Sequence, residues 1–369
     1  MGKEIFCKEC IIARGHPGVD FNKQGVCSLC EQIIPESCLD NYENNLKNCE
    51  MFYKFSPSEK DKYGCLLMLS GGKDSLFMLT QLLKDKKKPL AFTLDIPFES
   101  KTAKENIERA KSILDIDHIS MSAYWAFKKM WKHIFMTAPN PQTAKLNSER
   151  ICEACGNFII LSACFFAYKF EIPYVIYCAD PSQVFFIYPD FKLTLEAMID
   201  RVGVEVLITI FGEDVRAVLS EDNLNLPKII TPYVAMAEQY NAEEIINYLK
   251  KEGLYISSPI ETHCSLWALY HYFAYKYYNC DADALVYAKN VRDGLIARNE
   301  MIEVTAELRD IYLEIAVKNK ISQEEKTHIK KVVNKVTQNP REANWIFDQL
   351  LSMKKTADKL GIDLSAETK

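Results

Sequence analysis

The sequence predicts an α/β protein with a doubly wound, mostly parallel sheet, a small cysteine-rich module ahead of it and a mainly helical C-terminal region after it. Three observations carry that expectation. From about residue 60 to residue 180, short apolar runs alternate with helix-forming ones. The first apolar run ends in a glycine turn that opens directly into a helical stretch. Paired cysteines mark the segment from Cys7 to Cys30, which is too short to bury a core of its own.

Taken in order, "SCLDNYENNLKNCEMFYKF" (37–55) reads as a short linking helix, and "GCLLMLS" (64–70) as the first strand. "SLFMLTQLLKD" (75–85) follows as a helix, and the Lys84 to Lys88 cluster reads as a solvated turn. "LAFTLDI" (90–96) is a second strand, "NIERAKSILDI" (106–116) a helix, and "HISMSA" (118–123) a third strand. "GNFIILSACFFAYKF" (156–170) is expected to be a buried helix leading to the strand "IPYVIYCAD" (172–180). Such alternation implies a mostly parallel sheet with helices on both faces and ligands at the carboxyl ends of the strands. Beyond about residue 190 the chain reads as mainly helical, including "AEEIINYLKKEG", "SLWALYHYFAYKYY" and a charged run from Ile321 to Leu360. The aromatic band 267–278 has the spacing of core rather than of a base-stacking platform. Three segments result: a metal module at 1–50, a nucleotide domain at 55–235 and a helical region at 236–369.

Composition narrows the function. Hydrophobic residues make up 48% and charged residues 26% of 369, which suits a soluble globular chain of two or three domains. The net charge of −5 offers no global basic field for nucleic acid. Apolar stretches are interrupted well short of the roughly 18 residues needed to cross a bilayer, and "MGKEIFCKEC" has no apolar signal region, so a cytoplasmic protein without a membrane partner is expected. Gly2 fits myristoylation poorly, because Phe6 stands where that motif has Ser or Thr. Thirteen cysteines in such a compartment point to reduced thiols or metal ligands rather than disulfides.

The stretch "LMLSGGKDSLFML" (67–79) has the chemistry of a phosphate cradle. Gly71 and Gly72 let backbone N–H groups converge on an anion, the helix that follows adds its positive end, Lys73 adds a full charge, and Ser70 and Ser75 add hydroxyls. It is not a Walker A loop, since Leu67 and Asp74 stand where that motif needs Gly and Ser/Thr. The hexapeptide Ser-Gly-Gly-Lys-Asp-Ser between strand and helix resembles the PP-loop of the ATP pyrophosphatase (adenine nucleotide alpha-hydrolase) superfamily, over about residues 60–185. That resemblance implies a HUP or Rossmann-like domain that cleaves ATP between the α- and β-phosphates and adenylates a substrate carbonyl oxygen. Under it, Ser70, Gly71, Gly72, Lys73 and Ser75 grip phosphates, Asp74 orients the loop or a Mg²⁺, and Leu94 and Asp95 lie near adenine and ribose. Asp180 and Gln183, after a later strand, face the same rim as substrate or metal contacts or as plain loop caps.

Cys7-x2-Cys10 and Cys27-x2-Cys30, sixteen residues apart, have the spacing of a closed, structural four-thiolate zinc site of the zinc-ribbon kind. The wording "FCKECIIARGHPGVDFNKQGVCSLC" resembles the amino terminus of the N-acetyl sugar amidotransferases, PP-loop enzymes of surface-polysaccharide biosynthesis; "EIPYVIYCADPSQ" and "VRDGLIARNE" are similar to that family less specifically. The resemblance implies conversion of an acetamido group on a nucleotide-activated sugar to an acetamidine, with ammonia from a separate glutaminase subunit; a homo-oligomer is expected.

"RICEACGN" departs from that pattern. Cys152 and Cys155 at the start of a helix share a face, and the helix dipole with Arg150 favours thiolates. With the distant Cys264 they resemble the three-cysteine set of PP-loop RNA thiolases, in which a [4Fe–4S] cluster keeps one iron free for sulfide; a redox-active or second zinc pair, and packed thiols beside Cys164 and Cys178, are the alternatives. His263 reads as a hydrogen-bonded histidine rather than a base or ligand, and Cys38, Cys49, Cys65 and Cys280 as packing. Two enzyme readings follow: nitrogen transfer to an N-acetyl sugar and iron-sulfur-dependent thiolation of tRNA or a small molecule. A non-catalytic nucleotide-binding protein is the third, from another class.

Overall fold

The computed structural model describes every residue except 1–4, 15–18, 32–38, 129–130, 132–146, 182–189, 223, 257–263, 279–280, 282, 338 and 365–369, with backbone alone for 147–154, 201–202, 277–278 and 285–286. The described residues form two compact units, and both are discontinuous in sequence. One holds residues 38–127 and 153–263; the other holds 1–37, 128–152 and 264–369.

The first unit is built on a five-stranded sheet: β1 (Cys65–Met68), β2 (Pro89–Asp95), β3 (His118–Ser122), β4 (Tyr174–Ile176) and β5 (Lys228–Ile230). The order is β3-β2-β1-β4-β5 and every pairing is parallel. The inner strands are continuous apolar runs because both faces are covered, and Leu66, Leu67, Val175 and Ile176 are fully buried. Helices α1 (Leu39–Lys54), α2 (Lys73–Lys84), α3 (Lys101–Leu114), α4 (Asn147–Lys169), α5 (Phe191–Val202), α6 (Val204–Phe211), α7 (Asp214–Ser220), α8 (Pro232–Ala235) and α9 (Ala242–Lys251) accompany the sheet in chain order. From β1 the chain winds outward through α2 to β2 and through α3 to β3, then returns across the sheet to β4 and β5 on the opposite side of β1. The winding direction therefore reverses between β1 and β4, which leaves a crevice at their carboxyl ends.

Three details differ from the sequence reading. Residues 228–230 form a fifth strand inside a region read as mainly helical; three residues are too few to show a period. The linking helix is part of the sheet unit: Phe52 of α1 is fully buried, with its ring 5.1 Å from that of Tyr174. Lys87 is not solvated with its neighbours. It is 6% exposed and donates to the carbonyl oxygens of Phe52 (2.9 Å), Tyr53 (3.0 Å) and Phe55 (2.5 Å). The amine thus caps carbonyls at the end of α1, sharing that of Phe52 with the Phe55 N–H, a requirement that no local pattern announces.

The second unit carries the cysteine module with helices α10 (Trp267–Tyr278), α11 (Ala284–Arg292), α12 (Arg298–Val317), α13 (Gln323–Val336) and α14 (Pro340–Leu360). The aromatic band is core as expected: Trp267, Tyr272, Phe273 and Tyr275 are buried. α13 opens on a capping box between Ser322 and Glu325. Against the segments expected from sequence, residues 38–54 and 236–256 lie with the sheet, while 264–369 lie with the cysteines. Among the described residues no helix is long and apolar enough to cross a membrane.

Candidate functional site

The glycine turn lies where β1 enters α2, at the crevice. Gly71 has φ +72°, and a Cβ there would lie 2.2 Å from the Ala103 carbonyl oxygen, so only glycine allows α3 to approach this closely. Asn106, fully buried, fixes the contact by donating to the Gly71 carbonyl at 3.0 Å and accepting from the Ile256 N–H at 3.3 Å. The helix starts at Lys73, two residues earlier than the periodicity indicates, with Gly72 as its cap. Gly72 supplies no side chain to cap the first turn, which leaves that turn open to an anion.

The two serines tie the turn to the helix. Their hydroxyls are 3.1 Å apart, the Ser70 N–H donates to Ser75 Oγ at 3.2 Å, and Ser75 Oγ donates to the Gly72 carbonyl at 3.2 Å. Ser75 is buried and Ser70 exposed, so Ser75 holds the shape while Ser70 stands on the solvent side of the turn.

Lys73 and Asp74 form an ion pair of 2.7 Å, with side chains 12% and 16% exposed. The Asp74 carboxylate also accepts from the Tyr240 hydroxyl at 2.8 Å, and its main-chain oxygen accepts from the Tyr233 hydroxyl at 2.8 Å. The Lys73 ammonium lies 5.5 Å from the centre of the Tyr240 ring. Burial pushes the Asp74 carboxyl above its ordinary range, although Lys73 and Tyr240 oppose this. Asp180 is close enough for its charge to act on the Tyr240 hydroxyl as well. Burial and the charge of Asp74 push the hydroxyl's pKa up, so it remains a donor at any working pH. Three residues singled out from sequence, Lys73, Asp74 and Asp180, thus converge with one that was not. Tyr240 and Tyr233 lie about 160 residues along the chain from Asp74, and only the return of β5 beside β4 brings them to the loop.

At the end of β2 the outcome is mixed. Leu94 is 4% exposed, so its side chain belongs to the core. Asp95 is paired with Lys104 at 2.6 Å, and Lys104 reaches Glu99 at 3.6 Å. Burial pushes Glu99 up to about 7 against the pull of Lys104. Glu99 carried no motif, and its burial depends on the turn into α3. Cys178, after β4, is held as a neutral thiol by burial and by the nearby Asp74 charge.

In the other unit, two small turns present the four N-terminal cysteines, closed by the bridges Phe6–Ala13 and Phe21–Cys27. The four Sγ atoms all lie within 4.8 Å of one another. Cys7 and Cys30 are 3.8 Å apart and Cys10 and Cys27 are 3.7 Å apart. A tetrahedral site with Zn–S bonds of about 2.3 Å has edges of about 3.8 Å, so the set fits such an ion. The Cys10 hydrogen bond holds Cys27 down to about 5, while burial pushes Cys30 up to about 12. A dication removes that competition by holding all four as thiolates. The Glu9 and Cys27 N–H groups donate to Cys7 Sγ at 3.4 and 3.3 Å. Arg298 of α12 donates to the carbonyl oxygens of Cys7 (2.7 Å) and Cys10 (3.0 Å), and Arg292 brings a guanidinium nitrogen 4.0 Å from Cys30 Sγ. Both arginines come from "VRDGLIARNE", whose service to the cysteines was not legible in sequence.

The second cysteine set falls in part outside the described residues. Cys152 and Cys155 lie one turn apart on α4, where Cys155 is half-buried; the Cys152 and Arg150 side chains lie outside the described residues. Cys264 is half-buried. Gln183, His263, Cys38 and Cys280 also lie outside the described residues, whereas Cys49, Cys65 and Cys164 are buried as packing.

No family model and no protein of curated function matches the chain. Among solved structures it is similar to an NMN synthetase from Francisella tularensis, with 14% identity, a TM-score of 0.31 and coverage of 60% of this chain and 89% of that one. It is also similar to the U34-tRNA thiolase NcsA from Methanococcus maripaludis with its [4Fe-4S] cluster, with 14% identity, a TM-score of 0.34 and coverage of 84% and 89%. Both likenesses are too distant in sequence and too loose in superposition to bear on chemistry.

Proposed function

We propose that this chain is an ATP-dependent adenylating enzyme that transfers nitrogen to the acetamido carbonyl of a nucleotide-activated N-acetyl sugar. The observation that carries the reading is the loop Ser70–Asp74, set at the sheet's crevice with its glycine turn, its lysine and the open first turn of α2 together. The substrate carbonyl oxygen attacks the α-phosphorus of ATP and the α–β bond breaks. Pyrophosphate departs into the loop, where Lys73, the Ser70 hydroxyl and the helix end meet its charge. Ammonia from a separate glutaminase then adds to the activated carbon. AMP leaves with the former carbonyl oxygen, a proton is lost and an amidine remains. Mg²⁺, when bound, would be held by Asp74 and Asp180 and would neutralise phosphate charge. Zn²⁺ at Cys7, Cys10, Cys27 and Cys30 is structural, because four thiolates leave no open position.

The test is formation of AMP and pyrophosphate that requires ATP, a nucleotide-activated N-acetyl sugar and ammonia together. Lys73→Ala is expected to lower turnover roughly 10²- to 10³-fold, the scale for removing one charge-stabilising group from a site. Products that form without the sugar, or at an undiminished rate in the variant, overturn the reading.

One observation favours sulfur transfer as a second reading: α4 presents Cys152 and Cys155 one turn apart, a spacing suited to a shared iron site. Anaerobic reconstitution with iron and sulfide, followed by metal analysis and absorption spectroscopy, decides it. A bound cluster that Cys155→Ala abolishes supports sulfur chemistry, and protein without iron removes it.

A further inference from the structure

The ion pair between Lys73 and Asp74 poses a problem for a loop that must grip phosphates. An ammonium only 2.7 Å from a carboxylate is already neutralised, and an incoming phosphate has to take it away. With the Asp74 side chain 16% exposed, a carboxylate abandoned by its cation would be a largely desolvated, unpaired charge. Where no divalent cation is bound, something else has to hold Asp74 when Lys73 leaves.

We propose that Tyr240 is a positioning residue of the phosphate loop: its hydroxyl is the second donor that keeps Asp74 satisfied and in place while Lys73 turns to an incoming nucleotide phosphate. The two donors serve different oxygens of the carboxylate, Lys73 on Oδ2 and Tyr240 on Oδ1, so one can go without the other. The Tyr240 ring also lies against the departing ammonium, 5.5 Å from centroid to nitrogen, and limits where it can swing.

The support is itself anchored. The segment from Thr231 to Tyr240 starts at the end of β5, where Asn45 of α1, 3% exposed, accepts from the Thr231 N–H at 2.7 Å and donates to its carbonyl at 3.0 Å. Tyr233, 4% exposed, donates to the Asp74 main-chain oxygen, and its ring meets that of Tyr240 edge-on at 5.3 Å. α1, the end of β5 and the two tyrosines thus form one brace under the first turn of α2.

The inference rests on the reading of the loop as a nucleotide site, and the experiment separates the two. ATP affinity is measured by titration calorimetry without divalent cations, for the full-length protein and for Tyr240→Phe, Asp74→Asn and the double variant, with melting temperatures alongside. Tyr240→Phe keeps the ring and its packing but loses the donor, and is expected to weaken ATP binding about tenfold or more, the scale of one hydrogen bond to a charged group. In the Asp74→Asn background no charge waits to be satisfied, so the same change should alter affinity less than about twofold. Equal losses in both backgrounds, or an unchanged affinity in Tyr240→Phe, overturn the inference and leave the nucleotide site standing. Failure of the unsubstituted protein to bind ATP removes both.

Discussion

Glu99 shows what a single residue can report when its surroundings are set by the fold. Its side chain is 10% exposed beside Lys104, and burial raises its carboxyl to about 7. A carboxyl that holds its proton more tightly in the folded chain than in the unfolded one makes stability fall as pH rises, here between the ordinary carboxyl value of 4.5 and about 7. Glu99→Gln removes that titration, while Lys104 keeps Asp95 as partner. The variant is therefore expected to melt close to the unsubstituted protein at pH 5 and above it at pH 8. Thermal denaturation at the two pH values checks this, and a difference that does not change with pH refutes the raised carboxyl. Gly71 and Ser75 stand at the opposite extreme, because their types and spacing already stated in sequence what the turn requires. Tyr240 is silent in sequence: one tyrosine among nineteen, with no motif around it.

At the scale of elements, α12 illustrates a helix end used as a bracket. Arg298 stands in its first turn and spends its guanidinium on the carbonyl oxygens of Cys7 and Cys10. Those oxygens belong to the turn that orients two thiols, so Arg298→Ala should loosen the metal centre without removing a ligand. The expected result is one zinc per chain in both proteins, with release to a competing chelator roughly 10- to 100-fold faster in the variant, the range for loss of an outer-shell partner. Release at equal rates would reduce Arg298 to a packing residue. Lys87 performs a comparable service for α1, which it closes from the far end of the turn after α2. Both cations read in sequence as ordinary surface charge, because the carbonyls they satisfy lie far away along the chain.

For the molecule as a whole, the two units carry separate pH responses that act in the same direction. In the unit with the helical bundle, His271 is 1% exposed, with Asp281 at 3.4 Å from one ring nitrogen and Asp283 at 3.3 Å from the other. Burial alone would push His271 down, but the two carboxylates outweigh it and hold it above its ordinary 6.5. That contribution is complete below 6.5 and is lost as pH rises through the folded value. Glu99 and His271 thus both withdraw stability as pH rises toward and past neutrality. His271→Gln is expected to cost about 3 kcal/mol near pH 6, since it leaves the buried Asp281 and the half-buried Asp283 without their cation, and to flatten the decline toward pH 9. Melting curves across that range test it; a decline as steep in the variant as in the parent would place the cause elsewhere.

What the sequence determined by itself was everything local in period or spacing: the alternation that makes a parallel sheet, the loop from Ser70 to Ser75, and the paired cysteines that come together within 4.8 Å. Such features are legible because each is set by residues within a turn or two of one another. The tertiary structure alone decided that β5 closes the sheet, that Lys87 turns inward, that Tyr240 and Tyr233 meet at Asp74, and that Arg298 braces the cysteine turns. Each of these contacts joins chain segments brought together by packing, and a partner chosen by burial across a long loop leaves no period in the sequence to read.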